Sequence, residues 1–226
     1  MKYAVVSDVH ANPVMLNMAL IDAKAAGAGR FIFLGDVSGY NDDVNGAIKL
    51  VRKNFDVALM GNHDLVCAGL AATEEEESYG SYGRDVAQRE ELPEEYRAWM
   101  KERPYIHAER DAAFTHGTFV SPEEFDYVLT SEIALMSFGV RTERFLFVGH
   151  VHASKIWELK PEGRVVEIDI PRPEGDVQTY DFMPKSECRY IVNVGSIGLP
   201  RDGYSSYVIW DSDTGQISFH RQRMGY

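Results

Sequence analysis

Short apolar runs alternate with helical periodicity over the first sixty residues. Tyr3 to Val6, Phe31 to Leu34 and Phe55 to Met60 are largely apolar runs of strand length, suited to strands covered on both faces. Between the first two, Val14, Met18, Ile21 and Ala25 recur at spacings of four, three and four, which predicts an apolar helix stripe. Asn12 is its candidate N-cap, Pro13 its first helical position, and Gly27 and Gly29 end it. A second helix carries Val44, Ala47, Ile48 and Val51 on one face and starts at Asp42 or Asp43. Strand–helix alternation of this kind implies right-handed crossovers and a parallel sheet, with sites at the carboxyl ends of its strands.

The pattern breaks over residues 71–105. Thr73 followed by Glu74 to Glu77 predicts a capped helix start, Tyr79 to Gly83 an aromatic interruption, and Leu92 to Met100 a further helix. This stretch reads as a helical excursion over the edge of a site, or as a solvated acidic face with no role. Beyond it, hairpin signals dominate. Tyr105–Ala108 and Ala112–Thr115 flank Glu109 to Asp111, and Lys155–Leu159 and Val165–Ile168 flank Pro161 to Gly163. Pro122 to Phe138 allows a helix through Phe125, Val128, Leu129 and Ile133, Phe145 to Val148 is a buried strand, and Pro171 to Ser186 reads as a polar surface loop. Tyr190 to Ser196 is a strand, and Tyr207–Trp210 pairs with Gln216–Phe219 across Asp213 to Gly215. The expectation is an α/β fold of two sheets packed together with helices outside, in one domain over residues 1–226.

Composition narrows the function. A net charge of -12 argues against long nucleic acids and anionic membranes, which need a basic footprint. No run of about 18 apolar residues predicts a membrane span, and the apolar start lacks the length and cleavage site of a signal sequence. Cys67 and Cys188 are read as reduced, buried thiols of a cytoplasmic protein.

The chemistry sits where the apolar runs end. Five stretches share this placement: Ser7-Asp8-Val9-His10, Gly35-Asp36, Gly61-Asn62-His63-Asp64, Thr115-His116-Gly117 and Gly149-His150-Val151-His152. Five of the seven histidines lie in them, while His107 and His220 do not. Asp8, His10, Asp36, Asn62, His116, His150 and His152 offer carboxylate, amide and imidazole donors without thiolate, a set suited to Mn, Fe, Zn or Ni. Seven donors exceed what one ion with an open position can use. They suit two divalent ions sharing one carboxylate, the arrangement that clamps both oxygens of an in-line displacement. Gly195 to Gly203 is a glycine-rich loop whose backbone donors and Arg201 could hold a phosphate. Tyr40, Tyr79 and Tyr82 are candidates for stacking on a nucleobase.

In order and spacing these five blocks resemble the calcineurin-like metallophosphoesterase superfamily, and the short chain with Asn193-Val194-Gly195-Ser196 resembles its small prokaryotic phosphodiesterase branch. The resemblance implies a four-layer α/β/β/α sandwich of two mixed sheets. It implies that Asp8, His10 and His152 hold one ion and Asn62, His116 and His150 the other, with Asp36 bridging and Asn62 also near substrate. Manganese is the favoured metal, with Fe, Zn, Ni or Mg as alternatives. A water activated between the ions would attack phosphorus, His63 would serve the leaving oxygen, and Asp64 would orient His63. The substrate class implied is a small phosphodiester or phosphoanhydride, nucleotides first. A phosphomonoesterase or protein phosphatase is the alternative within that chemistry, a non-catalytic metal-binding scaffold the alternative outside it, and a homo-oligomer stays open. Two positions depart from the branch pattern: Asn41 replaces the last glycine after the Asp36 block, and Val194 stands where a proline is usual.

Overall fold

The computed structural model describes residues 1–71 and 82–224. The chain begins β1 (Lys2–Val6), α1 (Pro13–Ala25), β2 (Arg30–Phe33), α2 (Val44–Asn54), β3 (Val57–Ala58) and α3 (Asn62–Cys67). After α4 (Gly83–Glu91) and α5 (Glu94–Lys101) come β4 (Ile106–Glu109), β5 (Ala112–Thr115), α6 (Ser131–Val140) and β6 (Phe145–Val148). The remainder is β: β7 (Ser154–Leu159), β8 (Val165–Ile168), β9 (Val177–Phe182), β10 (Arg189–Val194), β11 (Tyr204–Asp211) and β12 (Ile217–Arg223).

Two six-stranded sheets result, in the orders β3-β2-β1-β11-β12-β9 and β4-β5-β6-β10-β7-β8. Each is mixed. β1, β2 and β3 run parallel, as do β5, β6 and β10, and antiparallel strands complete both sheets. Alternation along β1 shows how the layers form. Tyr3 and Val5 join Ile32, Phe147, Tyr190 and Trp210 between the sheets. Ala4 and Val6 face the other way, onto Leu16 and Ala23 of α1 and Ile48 and Val51 of α2. On the far side of the second sheet, Ala134 and Phe138 of α6 cover Leu146, Val148 and Ile191. The layers are therefore helix, sheet, sheet, helix. Phe147 is fully buried at the centre, where truncation to alanine costs about 3–5 kcal/mol.

Four expectations are corrected. The stripe of α1 that faces the sheet is Leu16, Ala19, Leu20 and Ala23, whereas Val14, Met18 and Ile21 are exposed. The helix is apolar on nearly every side, so the sheet rather than the periodicity selects the buried face. β3 is shorter than expected: its ladder covers Val57 and Ala58, the Leu59 N–H still donates to Phe33 O at 2.9 Å, and the Met60 N–H donates to the Pro104 carbonyl at 3.0 Å. The segment from Pro122 makes one 3-10 turn over Pro122–Glu124 and becomes an α-helix only at Ser131, where the Thr130 hydroxyl caps the Ile133 N–H; Phe125, buried but with φ 54°, cannot lie in one. Within Pro171–Ser186, β9 forms as an edge strand on β12, with Tyr180 and Phe182 packed on the inter-sheet core. The expected helix start at Thr73–Glu77 and Tyr79 fall outside the described residues.

Candidate active site

All five polar blocks meet at one edge of the two sheets. The turns after β1 and β2 stay paired beyond the strands, with the Asp8 N–H donating to Gly35 O and the His10 N–H to Asp36 O, both at 3.0 Å. This register sets Asp8 beside Asp36. The second sheet is joined on through its β6 turn, where the His150 N–H donates to Asp8 Oδ2 at 3.0 Å, and within that sheet the Gly149 N–H donates to His116 O at 2.9 Å. Close approach requires glycine, since a Cβ on Gly61 would stand 2.1 Å from Asp36 Oδ1. Asp8, His10, Asp36, His150 and His152 all adopt left-handed φ between 46° and 67°, a region where Asp, Asn and His are enriched among non-glycine residues.

The donors converge on two groups. Asp8, His10, Asp36 and His152 form one, and Asp36, His116 and His150 the other, with the ligand atoms of each within 4.8 Å of one another. Asp36 belongs to both. Asn62 joins the second group, its Oδ1 3.1 Å from His116 Nε2 while its Nδ2 donates to the Tyr82 hydroxyl.

The protonation pattern shows what such a set is fit for. His10 Nδ1 donates to Ser38 O and His152 Nδ1 to Leu199 O, each at 2.8 Å, because a carbonyl can only accept. That leaves each Nε2 turned inward. The two nitrogens lie 3.1 Å apart, and His152 Nε2 is also 3.1 Å from Asp8 Oδ1. Burial pulls His10 down to about 4, so its Nε2 presents a lone pair. Asp8 Oδ1 and Asp36 Oδ2 are buried without a hydrogen-bond partner. An inward imidazole lone pair and buried carboxylate oxygens crowded at one point are costly unless a cation lies among them. Backbone carbonyls on the outer imidazole nitrogens are the usual support of metal-binding histidines. The residues fit two divalent ions.

His63 is 5% exposed and sits beside this centre, 5.0 Å from the His10 ring between centroids. Its partner is not Asp64. Its Nδ1 meets Asp85 Oδ2 of α4 at 2.7 Å. Asp64 instead spends its carboxylate on the Asp36, Val37 and Ser38 N–H groups at 2.8, 2.8 and 3.1 Å, clamping the turn that carries Asp36. Burial opposes the imidazolium of His63, but Asp36 and Asp85 outweigh it and hold the pKa above its ordinary value.

The excursion thus reaches the site through buried residues of α4. Besides Asp85, Gln88 accepts the Gly39 N–H at 2.8 Å and donates to Asn41 O at 2.7 Å. Asn41, the departure from the branch pattern, donates to His10 O at 2.7 Å and ties the Asp36 turn to the β1 turn. Asp85, Gln88 and Ser38 were not legible as site residues, since a lone acid in an acid-rich segment carries no signal; only their burial in the fold singles them out.

Four N–H groups of the glycine-rich loop are engaged within the protein and do not face a phosphate. The N–H groups of Ile197, Gly198 and Arg201 donate to Ser7 O, Asp8 O and His152 O, and that of Leu199 to Ser196 Oγ. Arg201 itself is exposed and its guanidinium makes no ion pair among the described residues. Three tyrosines rim the site: Tyr40 lies 4.9 Å from the His63 ring, Tyr82 likewise, and Tyr127 stacks on His150 at 3.9 Å and 10°. Sequence reasoning named the first two and missed Tyr127.

Comparison with known proteins agrees with this geometry. The model of the calcineurin-like phosphoesterase superfamily domain matches residues 1–215. An uncharacterized protein of Methanocaldococcus jannaschii is 28% identical over 229 residues, spanning 96% of this chain and 86% of its own. A metallophosphoesterase from Sphaerobacter thermophilus superposes with a TM-score of 0.79 at 26% identity, covering 100% of this chain and 89% of that one. A hypothetical protein from Pyrococcus horikoshii shares the fold, with a TM-score of 0.71 at 18% identity over 99% of this chain and 88% of that one.

Proposed function

The chain belongs to the calcineurin-like phosphoesterase superfamily, a family of metal-dependent hydrolases, and on that premise we propose that it cleaves small phosphodiesters or phosphoanhydrides, nucleotides first. Asp8, His10 and His152 would hold one ion and Asn62, His116 and His150 the other, with Asp36 shared. The sharing of Asp36 by two converging donor groups carries this reading. Manganese suits the mixture of carboxylate, amide and imidazole. Divalent ions bound there supply Lewis-acid polarisation of the phosphoryl oxygens and lower the pKa of water.

The chain's own residues do the rest. Asp85 fixes the His63 ring by its Nδ1, which frees Nε2 to donate a proton to the departing oxygen. Asp64 keeps the Asp36 turn in place through backbone amides. Arg201, unpaired at the mouth, can take a non-bridging phosphate oxygen. The aromatic rim of Tyr40, Tyr82 and Tyr127 favours a phosphate with organic arms over a bare monoester, which supports diesters.

The test is hydrolysis of bis-p-nitrophenyl phosphate and p-nitrophenyl phosphate side by side, with Mn²⁺ and with chelator, for the parent and for His63→Ala. Metal-dependent cleavage of the diester, lost in the variant, is expected. Preferential cleavage of the monoester would move the assignment to a phosphomonoesterase.

A further inference from the structure

A groove of about 360 Å³ opens beside the second donor group, walled by Val120, Tyr127, Leu129, Ile133 and Met136. We infer that this groove seats a flat, uncharged ring of the substrate, a nucleobase being the class that fits. The inference rests on the phosphodiesterase reading and extends it to one subsite.

Tyr127 makes the connection. Its ring stacks on His150, one of the second group of donors, and also lines the groove, so a ring seated there lies next to the reacting phosphate. Tyr127, Leu129 and Met136 are 38, 51 and 57% exposed, an unusual concentration of solvent-facing apolar area at the mouth of a polar site. The flanking charges decide what cannot enter. Asp126 lines the groove without a side-chain partner among the described residues, and Glu123 and Glu124 are exposed on the adjoining turn. A second phosphate would meet Asp126 and no cation among the lining residues, whereas a neutral ring bearing amino donors suits that lining.

The groove is also preformed. Ser121 and Phe125 hold left-handed φ of 46° and 54°, and the Thr118 N–H donates to Asp126 O at 3.0 Å. A Cβ on Gly117 would come within 2.7 Å of that same carbonyl. A wall fixed this tightly pays little ordering entropy when a ring is seated.

The test uses two diesters with a common leaving group, adenosine 5′-(p-nitrophenyl phosphate) and methyl p-nitrophenyl phosphate. The parent is expected to favour the adenosyl ester in kcat/KM by about tenfold or more, the scale of one base–aromatic stack. Met136→Glu and Leu129→Glu, both at exposed positions, should erase that ratio through KM. Ile21→Glu, on the exposed face of α1, should keep it. A parent ratio near one, or a ratio that Met136→Glu and Leu129→Glu leave in place, overturns the subsite while the phosphodiesterase reading stands. Silence on both esters overturns that reading and the subsite with it.

Discussion

The floor and the rim of the site are built in opposite ways. The floor consists of Asp8, His10, Asp36, His116, His150 and His152, nearly all fully buried and each placed directly after an apolar strand. The rim consists of Tyr40, Tyr127 and Arg201 on exposed loops and Tyr82 at the start of α4, with His63 anchored from α4. The floor is fixed by the sheets themselves, since strand register sets each donor against its neighbours. The rim depends on turns and on a helix outside the sheets. Chemistry common to a family can thus stay constant in the floor while selectivity varies in the rim.

Perturbing the two regions should give effects of different size and kind. Asp36→Asn strikes the floor at the residue shared by both donor groups, and kcat in excess Mn²⁺ should fall by about 10³-fold or more. Retained activity would mean that Asp36 is not shared. Asp85→Asn strikes the anchor of His63 from the rim side, and kcat should fall by about 10–100-fold, the range for losing a supporting carboxylate. Asp85 raises the pKa of His63, so the variant's alkaline limb of kcat should move to lower pH. An unmoved limb would reduce Asp85 to a structural role. Arg201→Ala touches only the outermost rim, and KM should rise about 3–10-fold with kcat unchanged; an unchanged KM removes Arg201 from binding.

Glu109 supplies the reference that belongs to neither region. It lies at the strand ends opposite the site, where Arg30 of β2 donates to it from two nitrogens at 3.1 and 3.0 Å, joining the two sheets. Burial raises its pKa, but the bonds from Arg30 and His107 outweigh that and hold it below the ordinary range. A carboxyl depressed in the fold stabilises above its unfolded pKa, about 4.3, and loses that contribution as pH falls through the folded value. Glu109→Gln should cost about 0.5–1 kcal/mol at pH 7, with the gap from the parent closing below pH 4 and kcat unaffected. Denaturant melts at the two pH values read this directly.

The floor was legible in the sequence because each of its residues follows an apolar run, and a run of that kind is visible without the fold. The helices divide on the same ground. In α2 the apolar positions Val44, Ala47, Ile48 and Val51 stand among polar ones and are the buried ones. In α1, Val14, Met15, Leu16, Met18, Ala19, Leu20 and Ile21 leave two competing stripes, and only contact with the sheet separates them. β9 hides for another reason: an edge strand buries one face, so only Tyr180 and Phe182 pack on the core while Val177 points to solvent, inside a polar, proline-flanked stretch. Asp85 and Tyr127 could not be read at all, because what matters in each is a neighbour distant in sequence, His63 in one case and His150 in the other.

The left-handed turns that carry Asp8, His10, Asp36, His150 and His152 restrict the alphabet available to the centre. Left-handed backbone costs most L-residues about 1–2 kcal/mol, and Asp, Asn and His are the types that bear it best. Those same types supply the hard oxygen and imidazole donors that divalent ions prefer. Backbone tolerance and coordination chemistry therefore select one small set of amino acids at these positions. An exchange that preserves charge, such as Asp8→Glu, is conservative only on the chemical side: it keeps a carboxylate while placing a less tolerant residue in the turn. Substitution at these positions is judged twice, once by the ion and once by the turn.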